Sequence, residues 1–128
     1  MPKWTEYKAH AEERGALAWE LFMVRTTPAA SPEDLQRVLP AHLAYQKELE
    51  EEGSLVMAGP LSDDTGEEMQ GMGMIIYRAN SLEEARALTE ADPMHKEGIR
   101  TFEIRRWLVN EGSLNLKVKF AGRNIALD

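Results

Sequence analysis

The sequence predicts an α+β fold, a split-βαβ (ferredoxin-like) antiparallel sheet with a helical segment before it and a β-hairpin after it. Three observations carry this. Four separated stretches show strand-like apolar patterning, and two capped stretches of helical period fall between them. Their order is strand, helix, strand, strand, helix, strand. The chain has 128 residues, the size of one domain with room for a core.

The elements follow in order. Residues 2–14 are expected to form a short helix, with Trp4, Tyr7 and Ala11 at helical spacing and Gly15 as its stop. It is too short and polar to stand alone, so it is expected to dock on its own domain or a partner subunit. Leu17 to Thr26 reads as a strand: Leu17, Trp19, Leu21 and Met23 alternate with Ala18, Glu20, Phe22 and Val24. Both of its faces are largely apolar, which predicts a central strand covered on both sides. Ser31-Pro32-Glu33-Asp34 opens a helix with a capping hydroxyl, a proline at the first position and acids in the first turn. Pro40 predicts a kink, or a short helix and a fresh start. Gly53 ends the helix, Leu55 to Ala58 is the second strand, and Gly59-Pro60 closes it.

After the polar loop Ser62-Asp63-Asp64-Thr65-Gly66, Gly71 to Ala79 reads as the third strand. Gly71 and Gly73 leave room for a close approach to its backbone. Ser81-Leu82-Glu83-Glu84 is a capping box that starts the second helix. Asp92-Pro93 ends that helix, because proline biases the preceding residue away from helical geometry. Ile99 to Val109 is the fourth strand. Leu114 to Phe120 alternates as a strand and Ile125 to Leu127 returns, which makes a terminal hairpin. The expected organisation is one domain over residues 1–128, with a core at about 17–109 and extensions at 1–16 and 110–128.

Composition excludes several function classes. The net charge of −7 argues against nucleic acid, whose phosphates need clustered Lys and Arg. No apolar run approaches the roughly 20 residues of a membrane span, and the polar start has no signal-peptide core, so a cytoplasmic location is expected. Cysteine is absent, which removes disulfides, thiolate metal sites and cysteine nucleophiles. His10, His42 and His95 lack ligand spacing, and no phosphate loop, GxSxG elbow or HExxH occurs, so neither metal nor cofactor is expected.

The informative stretch is Pro40 to Leu61, PAHLAYQKELEEEGSLVMAGPL. On a helical projection Leu39, His42, Gln46 and Leu49 fall within about 40° of Leu35. His42 and Gln46 therefore face inward among aliphatic neighbours. A buried imidazole needs a hydrogen-bond partner. It is either a satisfied core histidine or a general base poised near neutral pH. In the split-βαβ topology the two helices run in opposite directions on one sheet face, which carries Asp92 towards Pro40 and His42. The arginines Arg100, Arg105 and Arg106 read either as receivers of an anionic substrate or as solvent-facing strand charges.

These residues resemble the YciI-like (YCII-related) family. The resemblance runs from about Leu21 to Val109 and rests on PAHLAYQKELEEEGSLVMAGPLSDDTGE, GMGMIIY, SLEEARALTEADPM and EIRRW. It implies a dimeric α/β barrel, in which two open sheets pack face to face, and a His-Asp site that falls on His42 and Asp92. Related enzymes of that kind eliminate chloride from chlorinated hydroxyquinols, and muconolactone isomerases share the barrel. The expected function is thus a cofactor-independent lyase or isomerase acting on a small cyclic or hydroxylated aromatic metabolite. Its expected partners are a small-molecule ligand and a homodimer or higher homo-oligomer. His42 and Asp92 are the expected catalytic dyad; Gln46, Met57, Gly59, Pro60, Met72 and Met74 are the expected substrate-binding residues. The alternatives are a non-catalytic small-molecule-binding module and a structural or interaction protein.

Overall fold

A computed structural model describes residues 1–127. They divide into two compact units, Glu20–Trp107 and a second unit made of the two chain ends, Met1–Trp19 with Leu108 onward. The elements are α1 (Trp4–Glu13), β1 (Trp19–Pro28), α2 (Pro32–Glu52), β2 (Leu55–Pro60), β3 (Gly73–Tyr77), α3 (Leu82–Ala91), α4 (Pro93–Lys96), β4 (Arg100–Val109), β5 (Leu116–Lys119) and β6 (Asn124–Leu127). No helix among the described residues is long and apolar enough to cross a membrane.

The main sheet has the order β2-β3-β1-β4, so β1 is central, as its two apolar faces require. It is antiparallel, with Phe22 opposite Tyr77, Val24 opposite Ile75 and Thr26 opposite Gly73. This is the split-βαβ topology. Strand parity puts Phe22, Val24, Ile75, Tyr77 and Ile104 on one face, and they pack with Leu49 of α2 and Ala85 of α3 into the main core. A smaller cluster joins Val38 of α2, Met94 of α4 and Ile99.

Local chemistry sets the helix ends. Ser31 caps α2, accepting from the Asp34 N–H at 3.2 Å, and Pro32 opens the first turn. Pro40 does not divide the helix: Pro32–Glu52 is one element. Pro40 is exposed, where water can take over the bond its missing N–H leaves unmade, while Val38 and Leu49 anchor the helix on either side. Gly53 takes the left-handed conformation at φ 88°; its N–H donates to the Glu50 carbonyl at 3.1 Å, and the Ser54 N–H donates to the Leu49 carbonyl at 2.9 Å. Ser81 caps α3 through the Glu84 N–H.

The Asp92-Pro93 pair does more than end α3. Asp92 also caps α4, accepting from the Met94 N–H at 3.0 Å, with Pro93 at the first helical position. The added helix carries His95 to the end of β1. His95 Nδ1–H donates to the Thr89 carbonyl at 2.8 Å, and Nε2 lies 2.8 Å from Thr26 Oγ1. A carbonyl can only accept, so the proton sits on Nδ1, and neutral Nε2 accepts from the Thr26 hydroxyl. Burial holds the His95 imidazole below the usual histidine range, and Arg100 and His42 push the same way. The Thr89 carbonyl and the Asp92 charge oppose them.

The terminal unit has its own ties. In α1 only Ala11 is buried. The Leu17 N–H donates to the Asn110 carbonyl at 3.0 Å, and Arg14 meets Glu111 at 3.4 Å. β5 and β6 form an antiparallel hairpin, with Val118 opposite Ile125.

Two glycines test this description. Gly53 needs its positive φ but has open space where a Cβ would sit; Gly71, at φ +89°, would drive a Cβ to 2.7 Å from Pro28 Cγ. Gly53→Ala should cost about 1 kcal/mol and Gly71→Ala about 2 kcal/mol or more, read from denaturant midpoints. The buried His95 ring sets a pH dependence. Above the usual histidine pKa of about 6.5, folded and unfolded chains both hold it neutral. As pH falls through that value the unfolded chain takes the proton first, so the neutral ring's contribution to stability is lost. Between about pH 7 and about pH 5 the wild type should lose more stability than His95→Gln. Equal losses in urea titrations would mean that the ring titrates alike in both states.

Candidate functional site

A cavity of about 490 Å³ opens between α2 and the β2–β3 side of the sheet. Helix α2 contributes Leu39, His42, Leu43 and Gln46, successive positions of one helical face. β2 contributes Ala58, Gly59 and Pro60, and the segment 71–75 enters along β3. Met69, Met94, Thr26 and Arg100 complete the wall. Leu39 and Leu43 are 41% and 53% exposed although they sit on the apolar stripe of α2. The cavity, not the core, lies against them.

His42 and Asp92 meet. His42 Nδ1 lies 2.9 Å from Asp92 Oδ1 and 2.8 Å from Oδ2. Asp92 is 0% exposed, while the His42 side chain keeps 16%. Nδ1–H is thus the donor, and a neutral ring carries its lone pair on Nε2, which has no protein partner among the described residues. The acid cannot turn away, because Oδ1 also holds the α4 cap. The arrangement is that of a base with a fixed tautomer and an orienting carboxylate.

Of the expected ligand-binding residues, Gln46, Gly59, Pro60, Met72 and Met74 line the cavity. Met57 does not; it is 55% exposed. The reason is a β-bulge between Leu55 and Met57. Leu55 pairs with Tyr77 on the helix-covered face, but Met57 pairs with Ile76, which belongs to the opposite face. The extra residue turns Met57 off the face that Leu55 shares with the helices. Gly71 and Gly73 do permit close approach. The approaching groups are Pro28 and the Thr26 methyl, against which a Cβ at these positions would press.

Sequence reasoning missed Thr26 as a site residue and left Arg100 between a receiver of an anionic substrate and a solvent-facing strand charge. Both signals were present. Thr26 shares its parity with Phe22 and Val24, and Arg100 with Phe102 and Ile104, so each polar group starts on the buried face. Arg100 Nε–H donates to Thr26 Oγ1 at 2.8 Å, and Nη2 donates to the Thr26 carbonyl at 3.1 Å and to the Gly71 carbonyl. Burial holds its guanidinium below the usual arginine range, and the Asp92 charge opposes this.

The phenols behind the dyad are neutral. Burial, then the Asp92 charge, pushes Tyr45 up to about 12; its hydroxyl donates to the Leu88 carbonyl at 2.7 Å. Tyr77 is raised for the same two reasons, and its buried hydroxyl has no hydrogen-bond partner among the described residues. Among the described residues no three of His, Cys, Asp or Glu gather as a metal site.

Known proteins share this architecture. The structure resembles that of the 5-chloro-2-hydroxyhydroquinone dehydrochlorinase (TftG) from Burkholderia phenoliruptrix AC1100, solved in complex with 2,5-dihydroxybenzoquinone. The TM-score is 0.55 at 24% identity, over 68% of this chain and 92% of that one. That likeness shows the fold alone. The uncharacterised protein YjpA of Bacillus subtilis (strain 168) is 35% identical over 72 residues, 56% of this chain and 78% of that protein. Residues 19–108 match the YCII-related domain, and the chain belongs to that family.

Proposed function

We propose that the protein is a cofactor-independent lyase or isomerase that moves a proton on a small cyclic or hydroxylated aromatic metabolite. The carrying observation is the fully buried Asp92, both of whose oxygens stand within 2.9 Å of Nδ1 of a histidine that lines the cavity. In this reading His42 Nε2 takes a proton from a ring carbon or hydroxyl. The electron pair moves into the ring. Either a leaving group departs with its bonding pair, or the proton returns at another carbon. Asp92 holds the tautomer and stabilises the imidazolium in between. Methionines at 69, 72, 74 and 94 give soft apolar walls suited to a flat ring. The neighbour's dehydrochlorinase name and its quinone ligand support a hydroxylated ring as substrate.

The same soft walls also suit a non-catalytic binding module, and turnover decides between the two readings. We also infer that the chain works as a homodimer, sheet facing sheet. In support, the sheet face away from the main core carries Met57, more than half exposed, and the partly exposed Met23, with the buried Ile76 between them.

Incubation of the protein with 5-chloro-2-hydroxyhydroquinone and with muconolactone-type lactones should give chloride release or solvent-deuterium incorporation. His42→Gln should lower kcat/KM by about 10² to 10⁴-fold, and Asp92→Asn by about 10²-fold or more, mainly in kcat. Binding without turnover, or turnover indifferent to His42, would sink the catalytic reading. Light scattering at micromolar concentration should report a dimer; a monomer would remove the face-to-face inference.

A further inference from the structure

The cavity has a charge pattern that the dyad does not use. We propose that Arg100 is its anion-binding group, so that the ligand is a small ring compound bearing an organic oxyanion such as a carboxylate, phenolate or enolate. This rests on reading the cavity as a ligand site, but not on His42 acting as a base.

The guanidinium has five N–H groups. Nε–H is bonded to Thr26 Oγ1, and Nη2 to the carbonyls of Thr26 and Gly71. The two N–H groups of Nη1 have no protein acceptor among the described residues, and Arg100 is part of the cavity wall. Among the described residues every other lining residue is neutral or an imidazole, and no Asp or Glu lines the cavity. Asp92 is buried behind His42 and is not part of the wall. A chain of net charge −7 thus lines its largely apolar cavity with one cation and no anion. The guanidinium is partly buried and feels the Asp92 charge, but no carboxylate among the described residues is in ion-pair contact with it, so an anion at its remaining N–H groups would be favourable.

The cation is also held in place. The His95 Nδ1–H donates to the Thr89 carbonyl, so Nε2 accepts the Thr26 hydroxyl proton, and Thr26 Oγ1 then accepts from Arg100 Nε–H. The chain runs in one direction and leaves the Thr26 oxygen no choice of role. Thr26 is 6% exposed, which keeps water from competing for these bonds. The fork is therefore preorganised, and binding an oxyanion there costs little ordering. A purely structural arginine would account for the three occupied N–H groups and not for the two that remain.

Calorimetric titration of the full chain with benzoate and its neutral isostere benzamide tests this. Wild type should bind benzoate at least about tenfold more tightly than benzamide, and Arg100→Met should reduce the gap to about threefold or less. Arg100→Lys keeps the charge without the fork and should fall between the two. If Arg100→Met fails to fold, Thr26→Val carries the test, since it frees Nε while the charge remains. It should weaken benzoate by about threefold or more and leave benzamide unchanged. Equal affinity for acid and amide in the wild type overturns the proposal. So does binding of neither below about 10 mM, or a gap that survives Arg100→Met. Inorganic phosphate binding more tightly than benzoate would also overturn it, since the site would then be one for small inorganic anions. Turnover is read separately. An oxyanion preference without turnover sinks only the catalytic reading, and turnover without the preference sinks only this one.

Discussion

The structure turns on one buried carboxylate. Asp92 is fully removed from water, and an ionised group there is tolerable only if its oxygens are satisfied. They are satisfied by the two halves of the fold the site needs. The Met94 N–H comes from the first turn of α4, and the His42 Nδ1–H comes from the middle of α2. One side chain thus closes α3, opens α4 and orients the imidazole. Removing its charge would weaken all three at once. The histidine cannot take another tautomer without turning an acceptor towards the carboxylate.

A second polar chain runs beside the first and shares an element with it. α4 exists because Asp92 caps it, and α4 carries His95, which ties Thr89 to Thr26. Thr26 in turn anchors Arg100. The dyad and the arginine are therefore set by the same four-residue helix, one through its cap and the other through its third residue. The neutral phenols of Tyr45 and Tyr77 feel the carboxylate's charge without ionising, and His42 stands between Asp92 and the cavity.

Much of this was legible in the residues. The strand and helix order follows from periodicity and from Ser-Pro, Ser-x-x-Glu and Gly signals, and the opposite directions of the two helices carry Asp92 towards His42. What was not legible has physical causes. The bulge at Val56 leaves no mark in a run of six residues, yet it reverses the face of Met57. Leu39 looked like core because periodicity cannot tell a core from a cavity wall. α4 was hidden because Asp-Pro was read only as an ending, although it carries the same capping logic as Ser31-Pro32. Thr26 was missed, and Arg100 left between two readings, because strand polarity alone does not give the face; parity does.

The apolar and polar parts of the cavity then have separate origins. Its walls come from residues that a core would also use: methionines, leucines and Ile75. Its polarity comes from His42 and Arg100, each fixed from behind by groups wholly or largely buried, Asp92 and Thr26. Supports of this kind leave little freedom in the groups that face a ligand, because a buried partner cannot be exchanged for water without a desolvation cost. A surface histidine or arginine would move with its solvent. Here the orientation of both is a property of the core, so a site with few polar groups can still be specific about where a proton and a negative charge must lie.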